Sequence, residues 1–119
     1  MRIVIVEDEI AIREGLKEMI SANTSHTVIG TCKDGMEGIA FIKEHRPDLV
    51  ITDIRMPKLT GLEMIEKVSM SGIKVHFIVV SGYRYFEYAQ RALKYGVKDY
   101  LLKPIDHDKL MDAITKVIE

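Results

Sequence analysis

Short runs of branched apolar residues recur along the chain, separated by segments whose apolar positions fall three and four residues apart. The first pattern reads as strands covered on both faces and the second as one-sided helices. Runs at Ile3 to Val6, Val28 to Cys32, Leu49 to Thr52, Val75 to Val80 and Asp99 to Leu102 predict five strands. Four read as continuous apolar runs; the second, more mixed, predicts a strand nearer a sheet edge. Ile12, Leu16, Met19 and Ile20 predict the first helix, and Leu110, Ala113, Ile114 and Val117 the fifth. Met36, Ile39 and Ala40 predict a helix over 35–45, stopped before Pro47. Leu62, Ile65 and Val68 predict a third, with Thr60 and Glu63 in capping-box spacing at its start and Gly72 past its end. Tyr85 to Leu93 predicts a fourth, ended near Gly96. The alternation of strand and helix predicts an α/β domain built on a parallel sheet.

Composition narrows this to one globular domain. The chain has 119 residues, 47% hydrophobic and 29% charged, far from the apolar-poor composition of disorder. Lys plus Arg number 17 and Asp plus Glu 18, giving a net charge of −1, so no field covers the molecule that could hold a polyanion. Nucleic-acid binding by this domain is not expected. The longest apolar runs span four residues and no signal peptide follows Met1-Arg2, so a cytoplasmic location is expected. The single cysteine, Cys32, lies in an apolar run and reads as a buried, inert thiol, and Asn23-Thr24-Ser25 is then a chance glycosylation match. His26, His45, His76 and His107 lack ligand spacing.

In a parallel sheet the ligand site lies at the carboxyl ends of the strands, so the residues after each strand carry the chemistry. They are Glu7-Asp8, Asp53, Ser81 and Lys103. Taken singly, each has a structural reading: Asp8 could cap the first helix, Ser81 could cap the fourth, and Lys103 could be a solvated loop lysine. Taken together, three carboxylates at one sheet edge repel one another unless a cation binds between them, and magnesium suits such a site. A carboxylate beside a divalent cation can attack a phosphoryl group, while a lysine neutralises the transferred oxygens and a hydroxyl donates to one of them.

Along essentially its whole length the chain resembles the receiver domains of bacterial two-component response regulators. The matching blocks are Val-Glu-Asp-Glu (6–9), Thr-Asp-Ile-Arg-Met-Pro (52–57) with Gly61 after it, Val-Ser-Gly (80–82) and Asp-Tyr-Leu-Leu-Lys-Pro (99–104). The resemblance implies a single doubly wound (βα)5, flavodoxin-like three-layer sandwich with a parallel five-stranded sheet of order 2-1-3-4-5. It implies Asp53 as phosphoacceptor, with Mg2+ held by Glu7, Asp8, Asp53 and the backbone carbonyl of Arg55. Ser81 becomes the switch hydroxyl, Lys103 the phosphate counter-charge and Tyr100 the aromatic whose rotamer follows Ser81. A cis peptide would join Lys103 to Pro104. Glu7 and Ser81 stand where aspartate and threonine are commoner in the family, and both keep the needed oxygens. Arg55 and Tyr83 occupy positions that tune loss of the phosphoryl group.

The implied partners are a sensor histidine kinase and, through helix four, strand five and helix five, a second copy of the chain. Arg91, Lys94, Tyr95, Lys98 and Lys109 are candidate contacts on that face. Residues 81–89, Ser-Gly-Tyr-Arg-Tyr-Phe-Glu-Tyr-Ala, resemble receivers joined to an AraC-type helix-turn-helix output. On that expectation residues 1–119 are the receiver alone, and DNA is reached only through an output domain beyond Glu119; a stand-alone receiver or a pseudo-receiver is the alternative. No enzymatic turnover beyond self-phosphorylation and self-dephosphorylation is implied. An aspartate-nucleophile phosphohydrolase would need a second acid where Arg55 stands, and a flavin or dinucleotide domain would need glycines where Glu7-Asp8-Glu9 stand.

Overall fold

The computed structural model of the protein describes residues 1–82 and 86–118, excluding the side chains of Phe86, Tyr88 and Ala89. The expectations for Tyr83 and for a helix start at Tyr85, and the side chains of Phe86 and Tyr88, which read as packing for that helix, lie outside the described residues. Strand and helix alternate throughout: β1 (Arg2–Val6), α1 (Ile10–Asn23), β2 (Thr27–Cys32), α2 (Gly35–His45), β3 (Leu49–Asp53), α3 (Gly61–Met70), β4 (His76–Ser81), α4 (Phe86–Leu93), β5 (Asp99–Leu102) and α5 (His107–Ile118). All paired strands are parallel and the sheet order is β2-β1-β3-β4-β5. This is the doubly wound (βα)5 sandwich, and every strand begins and ends within one residue of the sequence expectation.

The period-two alternation of a strand divides the core. Val4, Val6, Val50, Phe77 and Val79 face the side covered by α2, α3 and α4, where they meet Ile42, Leu62, Ile65, Val68 and Ala92. Ile3, Ile5, Leu49, Ile51, Ile78 and Val80 face the other side, against Leu16 and Ile20 of α1 and Leu110, Ala113, Ile114 and Val117 of α5. The strand order reverses between β1 and β3, and the crevice outside their carboxyl ends is the natural ligand position.

Three features differ from what the sequence pattern suggests. The helix expected over 35–45 forms, but Met36 and Ala40, two of the apolar positions that mark it, are exposed; the buried positions are Gly35, Gly38 and Ile42. A Cβ on Gly38 would lie 2.5 Å from the sulfur of Met64, and one on Gly35 would lie 2.5 Å from the carbonyl oxygen of Leu59, so α2 packs by close backbone approach. Asp8 does not cap α1: Glu9 is the capping residue and makes no side-chain cap bond. β5, taken as a continuous apolar run, is the second edge strand, with Asp99 and Tyr100 half-buried and Leu102 exposed. The capping box of α3 forms as its spacing predicts, Thr60 Oγ1 accepting from the Glu63 N–H and Glu63 Oε1 from the Thr60 N–H, both at 3.1 Å.

Candidate functional site

Each of the five polar positions sits at the carboxyl end of a strand. Asp53 closes β3 and Ser81 closes β4, while Glu7 and Lys103 directly follow β1 and β5. The strand alternation continues past β1, so Glu7 turns fully inward and Asp8 is exposed at the rim. One oxygen from each of Glu7, Asp8 and Asp53 can be chosen so that all three lie within 4.8 Å of one another. The Lys103 ammonium reaches across this cluster, donating to Asp53 Oδ2 at 2.8 Å and standing 2.5 Å from Glu7 Oε1.

The backbone fixes the carboxylate of Asp53. Its Oδ1 accepts from the Ile54 N–H at 2.7 Å, with the Arg55 N–H farther off at 3.4 Å. The β3–α3 turn closes tightly against it: Gly61 N–H donates to Ile54 O at 2.7 Å, and a Cβ on Gly61 would fall 1.9 Å from the Asp53 carbonyl oxygen. The motif glycine is therefore required for space. Ser81, almost fully buried, joins Asp8, Asp53, Arg55 and Lys103 around a cavity of about 540 Å³. The Lys103 N–H donates to Ser81 O at 2.8 Å, which carries the β4–β5 pairing up to the site. Tyr100 stands on β5 opposite Val79, half-buried against the core, and the Lys103–Pro104 peptide bond is cis.

Charge within the cluster is unbalanced, three carboxylates facing one ammonium. Burial is the main force on Glu7; a hydrogen bond with Asp8 and the charge of Asp53 act with it, while Lys103 and the Glu9 N–H oppose it, leaving the carboxyl pushed up to about 7. Its Oε2 accepts from the Glu9 N–H at 3.2 Å, and its buried Oε1 has the ammonium alongside but no well-directed hydrogen bond. Burial alone would lower Lys103, but its bonds and proximity to Asp53 and Glu7 prevail and hold it above its ordinary value. An under-satisfied buried carboxylate oxygen beside two further carboxylates is an all-oxygen donor set, and it fits a hard divalent cation such as magnesium.

Sequence reading missed Arg13, on the first turns of α1, whose Nη1 donates to the backbone carbonyl of Glu7 at 2.9 Å. The available signal was a cation near a helix N-terminus, where the helix dipole disfavours it. Of the surface residues singled out, Arg91 is committed to Glu66 of α3 at 3.0 Å and Tyr95 packs partly into the core, while Lys94, Lys98 and Lys109 are exposed. Burial, with the charges of Glu37 and Asp34, pushes the Cys32 thiol up to about 12 and leaves it unreactive.

Residues 3–115 match the response regulator receiver domain, and the chain belongs to that family. Among its relatives, the transcriptional regulatory protein HptR of Staphylococcus aureus is 44% identical over 118 residues, an alignment covering 98% of this chain and 46% of that protein. The chain spans about half the length of the curated relatives it matches. The N-terminal domain of an uncharacterized protein from Wolinella succinogenes superposes with a TM-score of 0.89 at 38% identity, covering 99% of this chain and 94% of that one. A DNA-binding response regulator of the LuxR family from Staphylococcus aureus superposes with a TM-score of 0.92 at 26% identity, covering 99% and 98%. These likenesses establish a regulatory receiver domain of a two-component system without singling out an output class. Among the described residues no helix is long and apolar enough to cross a membrane.

Proposed function

We propose that this chain is a phosphoacceptor switch in which Asp53 takes a phosphoryl group from a sensor histidine kinase. The observation that carries this reading is the orientation of Asp53: one carboxylate oxygen is tethered to the Ile54 N–H, while the other meets the Lys103 ammonium beside the cavity lined by Ser81. An ionised Asp53 oxygen attacks phosphorus, the bond from phosphorus to the donor histidine nitrogen breaks, and the imidazole leaves with the bonding pair. No general base is needed, because the nucleophile is already a carboxylate. Lys103 offsets charge on the transferred oxygens and the Ser81 hydroxyl donates to one of them. Glu7, Asp8, Asp53 and the carbonyl of Arg55 would hold Mg2+, which when bound supplies further countercharge to the phosphoryl oxygens.

In the phosphorylated state the Ser81 hydroxyl turns to the phosphoryl group and Tyr100 turns in behind it, altering the α4–β5–α5 face. That face would serve a homodimer. Residues 1–119 act as the receiver alone, in the cytoplasm, within a longer transcriptional regulator that reaches DNA through its output module. Support for the longer protein comes from relatives about twice the length of this chain. The likeness of residues 81–89 to AraC-linked receivers supports an AraC-type output.

Intact mass after incubation with acetyl phosphate and magnesium tests the proposal. The wild type should gain ~80 Da, one phosphoryl group on a carboxylate nucleophile, and Asp53→Asn should gain nothing. Equal stoichiometric gain by Asp53→Asn would refute the assignment of Asp53.

A further inference from the structure

The turn that carries Glu7 and Asp8 is held unusually. Glu9 caps α1 without a side-chain bond, and no acidic residue lies in the first helical turn. The tether comes instead from Arg13, one helical turn in, whose guanidinium reaches back to the carbonyl of Glu7 at 2.9 Å. On its other side the Glu7 peptide is pinned by its own N–H, which donates to Cys32 O at 2.9 Å. Glu7 is thus clamped at both ends of its backbone, between β2 and α1, and its carboxylate points into the cluster with Lys103 and Asp53. Asp8 is the next residue and is exposed, so the clamp on Glu7 fixes where the Asp8 carboxylate stands relative to Asp53.

Resting on the metal-binding part of the proposed function, we infer that Arg13 is a positioning residue for the divalent cation, acting through the Glu7 carbonyl. Two physical effects of Arg13 oppose each other, and this makes the inference testable by sign. As a nearby positive charge, Arg13 repels a cation, so its removal would tighten binding. As a donor that orders the turn, it aligns the carboxylates, and its removal would loosen binding, as loss of a bond behind metal ligands generally does. A Ser, Thr or Asp at the cap would accept from the first helix N–H groups and could not take over the bond to the Glu7 carbonyl, which needs a donor such as Arg13. The placement of a cation here therefore points to alignment as the dominant effect.

The test is the melting temperature of the chain against magnesium concentration for wild type, Arg13→Met and Arg13→Lys, with Asp8→Asn as the control for the site. Arg13→Met should move the magnesium midpoint up about tenfold, and Arg13→Lys, which keeps charge and part of the reach, should recover most of that shift. A tighter midpoint in Arg13→Met would show charge repulsion to dominate and overturn the inference. So would a lower metal-free melting temperature with an unmoved midpoint, the signature of a purely structural tether. If the wild type shows no magnesium shift, or Asp8→Asn shifts as the wild type does, the cation site itself is misplaced and the inference falls with it. Magnesium shifts that follow the expected order, beside a failure of the wild type to take up phosphate, would sink the phosphoacceptor reading while sustaining this one.

Discussion

Glu7 shows how one buried residue sets the conditions under which the site can work. Its folded-state pKa of about 7 lies above the ordinary carboxylate value of 4.5, because burial and the neighbouring acids disfavour its charge. A carboxyl raised on folding binds its proton more tightly in the native state. Its contribution to metal-free stability is therefore fully present below about pH 4.5 and is lost as pH rises toward 7. Cation binding runs the opposite way, since a ligand carboxylate must be ionised and the cation displaces the proton. Magnesium should accordingly bind about tenfold more weakly at pH 6 than well above pH 7, one linked proton changing affinity about tenfold per pH unit. Magnesium midpoints from thermal melts at pH 6, 7 and 8 measure this, and Glu7→Gln should bind weakly at all three with a flatter dependence. A wild-type midpoint that did not change with pH would mean that Glu7 is not a ligand or is already ionised at pH 6.

At the scale of elements, space between backbones decides as much as hydrophobic pattern. Gly61 opens α3, and its missing side chain lets the helix start lie on the carbonyl of Asp53; a Cβ there would sit 1.9 Å from a backbone oxygen that cannot rotate away. Gly61→Ala should therefore destabilise the fold by about 2 kcal/mol, in the range of overpacked sites, and should also displace Asp53 and slow uptake of phosphate. Urea midpoints and intact mass read the two effects, and an alanine variant with wild-type values in both would show that the turn can relax without cost. The same physics explains which elements could be read from the sequence. β1, β3 and β4 are apolar runs buried on both faces, so the pattern and the location agree. The capping box of α3 was legible because both partners are local in sequence. The buried face of α2 was not, because glycines make it and apolar periodicity cannot report a surface defined by absent side chains. β5 was misread because Tyr100, Leu101 and Leu102 look like a core strand, whereas an edge strand buries only part of such a run. Asp8, Asp53 and Lys103 were legible as strand-end residues, whereas Arg13 acts through a backbone carbonyl, a contact that no spacing rule encodes.

Across the whole molecule, the proposed switch depends on coupling the site to a distant face, and the sheet supplies a short route. Ser81 pairs with Leu102 in the β4–β5 ladder, Val79 pairs with Tyr100, and the Lys103 N–H donates to Ser81 O. A shift of Ser81 toward a phosphoryl group on Asp53 would thus act on the strand that carries Tyr100, two residues away in register. On that side, among the described residues, Ala92 of α4 reaches the core and Arg91 is tied to Glu66 of α3. Driving such an equilibrium from 1:99 to 99:1 requires ~5.5 kcal/mol of differential stabilisation, and charge-assisted hydrogen bonds at ~1.5–3 kcal/mol each reach that with two to four bonds. Ser81 supplies one of these in the proposed mechanism, so Ser81→Ala should still gain ~80 Da from acetyl phosphate on its Asp53 nucleophile while losing most of the shift in population. Fluorotyrosine at Tyr100 would report that shift by 19F resonance, moving on phosphorylation of the wild type and staying near its starting position in Ser81→Ala. If the resonance moved equally in both proteins, the bonds made by Lys103 and the cation would suffice, and the route through β4 and β5 would have to be abandoned.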